Sequence, residues 1–251
     1  MEQTQKPALA GCTATGTLKI IAFLTMIIDH VGVVFFKQTL EWRIIGRIAF
    51  PLFAWCLVVG AEYTRSWRRY AGRLLLLLLI SQPFYMLALH HEWYELNIFA
   101  TLLTALLAIV GLKEKRCGSH IWAPILAVFM ACMMKMDYGW KGVAFILLLY
   151  AVRESRGGLT AVMLAFCLYW GQNTTVIQSF FGIPPSGLST LTPYGSTLFQ
   201  ALLRVQTAAL LALPLILSPI QKNIRISKWL AYSVYPAHLL VLYLIQTLKA
   251  V

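Results

Sequence analysis

The chain has 251 residues, of which 59% are hydrophobic and only 12% charged, and its mean hydropathy is +0.72. An ordinary soluble domain carries about 25% charged residues, so water is not the main solvent of this protein. The formal net charge of +12, from 21 Lys and Arg against 9 Asp and Glu, falls in short clusters between apolar runs. That is the signature of membrane topology and not of a nucleic-acid surface.

Apolar runs long enough to cross about 30 Å of hydrocarbon recur from Leu18 onward. Lipid offers the backbone no hydrogen-bond partners, which makes helices the expected form. The sequence predicts an all-α polytopic transmembrane helix bundle of about nine spans, with a range of about eight to ten. In chain order these lie near Leu18 to Phe36, Ile44 to Thr64, Arg73 to Leu89, Asn97 to Leu112, Ile121 to Lys135, Gly142 to Ala151, Leu159 to Phe181, Thr197 to Leu217 and Trp229 to Leu248. Residues 1–17 read as a short cytoplasmic tail and 18–251 as one transmembrane domain. Most basic residues fall in alternate loops: Lys6 and Lys19; Arg65, Arg68, Arg69 and Arg73; Lys113, Lys115 and Arg116; Arg153 and Arg156; Lys222, Arg225 and Lys228. By the positive-inside rule this places the N-terminus in the cytoplasm. A proline-bearing segment from Gly182 to Ser196 is long enough to cover an outer mouth. The five cysteines imply no disulfide framework.

Ionisable groups inside membrane spans are costly, so each is a default functional hypothesis. Asp29 and His30 lie about 9–10 Å before the outer end of the first span at helical rise. Adjacent residues point about 100° apart on a helix, so each needs its own partner from elsewhere. Arg47, at similar depth in the second span, can neutralise Asp29. His30 can bond a neighbouring helix or face a cavity. The last span carries Tyr235, Pro236, Ala237 and His238, where Pro236 frees a carbonyl one turn back and can kink the helix beside a histidine. Arg204 is either a snorkelling residue or a buried cation awaiting an anion. Asn97 opens a helix and can cap it or point into the bundle. The aromatics Trp93, Tyr94, Tyr138 and Trp140 read mainly as an interfacial belt.

No phosphate-binding glycine loop, zinc-type His and Cys spacing or serine elbow is present, so no metal is expected and any catalysis occurs within the bundle. Histidines in the outer half suit proton abstraction from an amine or hydroxyl, with an acyl donor reaching them from the basic cytoplasmic face. On residues alone a transporter or an assembly factor stands level with that reading.

The ordered blocks LKIIAFLTMIIDH (Leu18 to His30), GRIAFPLFAWCLVVG (Gly46 to Gly60), WYELN (Trp93 to Asn97), YGWKG (Tyr138 to Gly142) and YPAHLLVL (Tyr235 to Leu242) resemble the TraX family over nearly the whole chain. Members of that family are associated with N-terminal acetylation of conjugative F-type pilin. The segment around Phe50 and Pro51 also looks, distantly, like transmembrane acyltransferases that use cytoplasmic acetyl-CoA. By this resemblance Asp29, His30, Arg47, Pro51, Phe53, Gly60, Asn97, Tyr138, Gly139, Gly142 and His238 fall on the family's positions. It implies an acetyltransferase of the bacterial inner membrane, with acetyl-CoA as co-substrate and a pilin amine or another exported amine or hydroxyl as acceptor. His30 becomes the expected base, with His238 second and Asp29 beside them. Arg47, Asn97, Tyr138, Tyr235 and Arg204 are expected to meet substrate, and Arg68, Arg69 and Arg73, then Arg153 and Arg156, to meet the nucleotide end of the donor.

Overall fold

Backbone that is denied water satisfies itself along the chain, and every described secondary-structure element here is helical apart from two isolated bridges. The computed structural model describes residues 8–36, 39–177, 199–220 and 222–250. The helices are α1 (Thr15–Phe35), α2 (Leu40–Gly46), α3 (Ala49–Tyr63), α4 (Trp67–Leu89), α5 (Ile98–Glu114), α6 (Ser119–Met133), α7 (Gly139–Ala151) and α8 (Arg156–Gly171). A 3-10 helix (Val205–Ala212) then leads into α9 (Leu213–Leu217), and α10 (Lys228–Ala250) closes the chain. Among the described residues five segments are long and apolar enough to cross a membrane: 15–35, 40–63, 67–89, 116–133 and 230–249. The helical segments 139–151 and 205–217 are apolar but shorter.

We call the end of the bundle where α1 begins the N-face and the end where it stops the C-face. At the N-face Glu62, buried, receives Lys113 Nζ at 3.2 Å and Arg153 Nε at 3.2 Å, tying α3 to the ends of α5 and α7. Residues 8–14 run beneath this end, where Cys12 N–H donates to Ile216 O at 2.6 Å and Trp55 Nε1 donates to Cys12 O at 2.8 Å. At the C-face the α4–α5 and α6–α7 loops pair as Leu96 N–H donates to Lys135 O at 2.7 Å and Asp137 N–H to Leu96 O at 2.9 Å. Gln246 on α10 reaches Ala88 O there at 3.0 Å.

α3 is the central helix, with Phe50, Leu52, Ala54, Trp55 and Val58 fully enclosed. The outer faces of α4, α6 and α10 instead expose Leu76, Leu79, Ile125, Phe129, Val241 and Leu248. Exposed apolar stripes of this kind suit contact with acyl chains and would be a liability in water.

The expected spans differ from the helices at their ends. The second span begins at Leu40, not Ile44, and is broken at Arg47 and Ile48. Pro51 supplies the reason, since it has no N–H for the Arg47 carbonyl and its ring crowds that carbonyl. The fourth helix of the bundle starts at Trp67, six residues before Arg73, because Ser66 caps it by accepting the Arg69 N–H. The expected helix from Leu159 to Phe181 ends at Gly171, and Thr174 N–H closes a turn onto Gly171 O. The expected span from Thr197 is described from Phe199, and its middle, Val205–Ala212, is 3-10. The segment Gly182 to Ser196 lies outside the described residues.

Gly46 is required by the close approach of α2 to α1, because a side-chain carbon there would overlap Asp29 Cβ and Oδ1. Gly46→Ala is therefore expected to destabilise the protein by about 1–3 kcal/mol, the range for overpacking. Thermal unfolding of the detergent-solubilised variant checks this, and an unchanged midpoint would count against the tight α1–α2 contact.

Candidate functional site

The polar centre of the molecule is assembled from α1, α2, α10, the 3-10 helix and the loop before α7. On α1, His30 Nδ1 lies 2.7 Å from His238 Nε2 of α10, with the rings stacked at 9°. His238 Nδ1 lies 2.8 Å from the Val234 carbonyl. A carbonyl only accepts, so in the neutral pair His238 carries its proton on Nδ1 and has a bare lone pair on Nε2. His30 must then donate from Nδ1, which leaves its own Nε2 as the free basic nitrogen. The arrangement is a relay of carbonyl, histidine and histidine in which His238 fixes the tautomer of His30. Tyr235, one turn earlier on α10, stands edge-on to both rings.

Asp29 points the other way and meets two arginines one helical turn apart. Arg47 Nη2 donates to Oδ1 and Oδ2 at 3.1 Å each, and Arg43 Nε is 3.1 Å from Oδ1. Arg47 also donates through Nη1 to Gln206 Oε1 at 3.1 Å and through Nε to Arg43 O at 3.4 Å, so each of its guanidinium nitrogens has a partner. A carboxylate this buried persists because two cations compensate it. Asp29 is thus a structural anchor for α2 against α1, and it is not hydrogen-bonded to either histidine ring among the described residues.

A cavity of about 20 Å³ opens among Met26, Asp29, His30, Phe53, Asp137 and Tyr235. That is room for about one water, so a larger group enters only when side chains move. A longer cleft of about 110 Å³ shares Met26, Phe53, Ile98 and Tyr235 with it and runs toward the N-face past Cys56 and Tyr70 to Lys19 and Tyr232. Arg73 Nη1 lies 3.2 Å from the Tyr232 hydroxyl at that mouth. The small cavity at His30 and the apolar cleft that reaches Lys19 are therefore neighbours that share a wall of four side chains.

Two carboxylates mark the C-face rim. The His91 ring nitrogen at 2.8 Å and the Glu92 N–H at 3.1 Å hold Glu95 below the ordinary carboxylate range. Asp137 is open along one edge but enclosed on the cavity side, and that enclosure pushes its carboxyl up to about 6 from 3.8, with Asp29 adding and Arg47 opposing. A folded pKa above the unfolded one means that ionisation of Asp137 works against folding. The penalty is absent below about pH 4, grows as pH rises toward 6, and is complete above it. Asp137→Asn keeps the size and polarity of the side chain and removes the charge. Its unfolding midpoint is expected to exceed that of the parent at about pH 8 and to match it at about pH 4. The Glu95 contribution cancels in that difference. Equal midpoints at both pH values would place Asp137 in free solvent.

Of the residues singled out in the sequence, His30, His238, Tyr138 and Tyr235 surround one centre, with Asp29 and Arg47 on its flank. Tyr138 stacks on Phe50 with ring centres 3.8 Å apart and contributes a wall. Asn97 does not reach the centre. It is fully buried, caps α5 by accepting the Phe99 N–H at 3.0 Å, and donates to Leu78 O and Gln82 Oε1, which locks α5 to α4. Arg204 donates to the carbonyls of Gln172 and Thr174 and holds the turn after α8, so it is neither snorkelling nor at the histidines. At the N-face Arg68, Arg69 and Arg73 are exposed, whereas Arg153 is bound to Glu62 and Glu154 and Arg156 donates to Leu217 O. The sequence reading missed Arg43, Gln206 and Glu62. Arg43 was discoverable, since it precedes Arg47 by four residues and shares its helix face. Gln206 carries no local signal.

Apolar helices enclosing a histidine pair and a compensated carboxylate define a polytopic helical membrane protein with its polar site inside the bundle. The profile described as "TraX protein" matches residues 14–246, and the chain belongs to that family. It is also 26% identical over 193 residues to the "Probable fimbrial assembly protein FimC, serogroup H1" of Dichelobacter nodosus, covering 71% of this chain and 78% of that protein. No solved structure matches.

Proposed function

We propose that the protein is an acetyltransferase of the bacterial inner membrane that moves an acetyl group from cytoplasmic acetyl-CoA to an exported acceptor, foremost the N-terminal amine of a pilin subunit. In this reading the chain makes about nine passes with its N-face in the cytoplasm, in accord with the basic residues gathered at that end. The observation that carries the proposal is the relay from Val234 O through His238 to His30, next to Tyr235, whose side chain also lines the cleft toward Lys19.

Arg68, Arg69 and Arg73 attract the phosphates of the donor, and the apolar cleft from Lys19 to Tyr235 takes its thin acyl-bearing arm. The thioester supplies an activated carbonyl with a good leaving group. His30 Nε2 takes a proton from the acceptor as the acceptor nitrogen bonds the carbonyl carbon and the carbon–sulfur bond breaks. His30 then returns that proton to the departing thiolate. His238 keeps His30 in the tautomer that presents Nε2, and Tyr138 and Tyr235 wall off water.

Detergent-purified protein is expected to gain thermal stability with acetyl-CoA and with CoA but not with a nucleotide lacking the thiol arm, since a ligand of the native state raises apparent stability. Combined removal of charge at Arg69 and Arg73 is expected to weaken that response by about tenfold or more, the effect of losing one or two charge-assisted bonds. The competing reading is a non-catalytic pilus-assembly protein, favoured by the printed name of the Dichelobacter relative. Absence of any shift at saturating acetyl-CoA would select it.

A further inference from the structure

A second pocket, of about 570 Å³, opens on the far side of Arg47 from the histidines and is lined by Arg43, Arg47, Asn173, Thr175 and Gln206. We propose that this C-face pocket is an oxyanion-binding site that holds a phosphate or carboxylate group of the acceptor; this role rests on the transferase reading above.

The lining is rich in donors and contains no acid. The carboxylates of the centre, Asp29 and Asp137, line the other cavity, so the two guanidinium groups share the single counterion Asp29 on their far side and the pocket itself holds no acid. Arg47 is fully engaged, whereas Arg43 touches Asp29 only through Nε, and among the described residues nothing accepts a hydrogen bond from its two terminal nitrogens. Gln206 is buried, with 6% exposure. Its Oε1 accepts from Arg47, which turns its amide N–H groups away from that bond, and among the described residues they have no acceptor. Arg204 fixes the turn bearing Asn173 and Thr175 by gripping the carbonyls on either side of Asn173. A planar fork of N–H groups beside fixed amide and hydroxyl groups matches the oxygens of phosphate or carboxylate. Arg47, in the wall of this pocket, binds Asp29, in the wall of the His30 cavity, so the salt bridge links the two sites.

The test is binding of inorganic phosphate, and separately of acetate, to purified protein, followed by thermal shift at several salt concentrations. Arg43→Gln is the chief variant because Arg47 still holds Asp29 with two bonds when Arg43 is gone. Thr175→Val keeps all charges and is the second, in case Arg43→Gln unfolds. Saturable binding that weakens about tenfold in Arg43→Gln and less in Thr175→Val is expected. Binding unchanged in both variants locates the anion at the exposed N-face arginines and overturns the site, as does no binding of either anion. Vesicles of phosphatidylglycerol and of phosphatidylcholine separate the sources. Stabilisation by the former alone, lost in Arg43→Gln, assigns the oxyanion to a lipid headgroup and overturns the acceptor role. His30→Ala should retain the phosphate response, so failure of transfer and failure of this site are read independently.

Discussion

His30→Ala is expected to lower acyl transfer by about 10²- to 10⁴-fold, the usual contribution of a positioned base, while leaving the fold and the response to acetyl-CoA intact. The reason is specific to the relay. His238 Nδ1 is bound to the Val234 carbonyl, which commits its Nε2 to accepting from His30, so only His30 has a free basic nitrogen. His238 acts through His30 and is a positioning residue. His238→Ala should therefore reduce kcat with little change in the KM for donor, and should shift the pH profile of kcat as the His30 tautomer becomes free. His238→Gln, whose side-chain oxygen can accept from His30 Nδ1, should recover part of the loss. Full activity in His30→Ala would remove the base from this centre, and activity lost equally in His238→Ala and His238→Gln would show that His238 does more than orient.

The second large effect lies in stability. Asp29→Asn leaves Arg43 and Arg47 facing one another with their shared counterion gone, and Arg47→Gln takes from Asp29 the cation that holds both of its oxygens. Removing one partner of a buried pair costs about 3–5 kcal/mol, because the other charge stays buried. The double variant Asp29→Asn with Arg47→Gln is expected to be more stable than the sum of the single losses implies, by about 0.5–3 kcal/mol. Unfolding of the three variants in the same detergent measures that coupling. Additive losses would mean that the two groups do not depend on one another.

How much of this was legible follows from the range of each signal. Hydropathy is local and read out the helical bundle from Leu18 onward, but it ran Ile44 to Thr64 together as one span, whereas Pro51 leaves the Arg47 carbonyl without a donor and the helix breaks at Arg47 and Ile48. Polar residues in apolar runs pointed to Asp29, His30, Arg47 and His238, because lipid makes such groups conspicuous. Their pairing was less legible. His30 and His238 are 208 positions apart, and nothing in either segment states which ring nitrogen meets which. Asn97 takes the capping role that its place at a helix start offered, and Arg204 is spent on two carbonyls, because polar residues near helix ends are as often consumed by orphan backbone groups as by ligands. Helix starts slipped where a cap lay before the apolar run, as at Ser66. Gln206 could be found only by its contact with Arg47, since a glutamine in a polar-tinged segment carries no pattern of its own.

The central claim, that this bundle passes an acetyl group from one face to the other, is most directly tested in sealed vesicles with the purified protein inserted. Isotopically labelled acetyl-CoA is supplied on the N-face side and an amine-bearing peptide acceptor on the C-face side, and the peptide is analysed by mass spectrometry. Labelled acetyl on the peptide, dependent on His30 and absent when donor and acceptor exchange sides, is the predicted result. No label on the acceptor, in preparations whose stability still responds to acetyl-CoA, would contradict it.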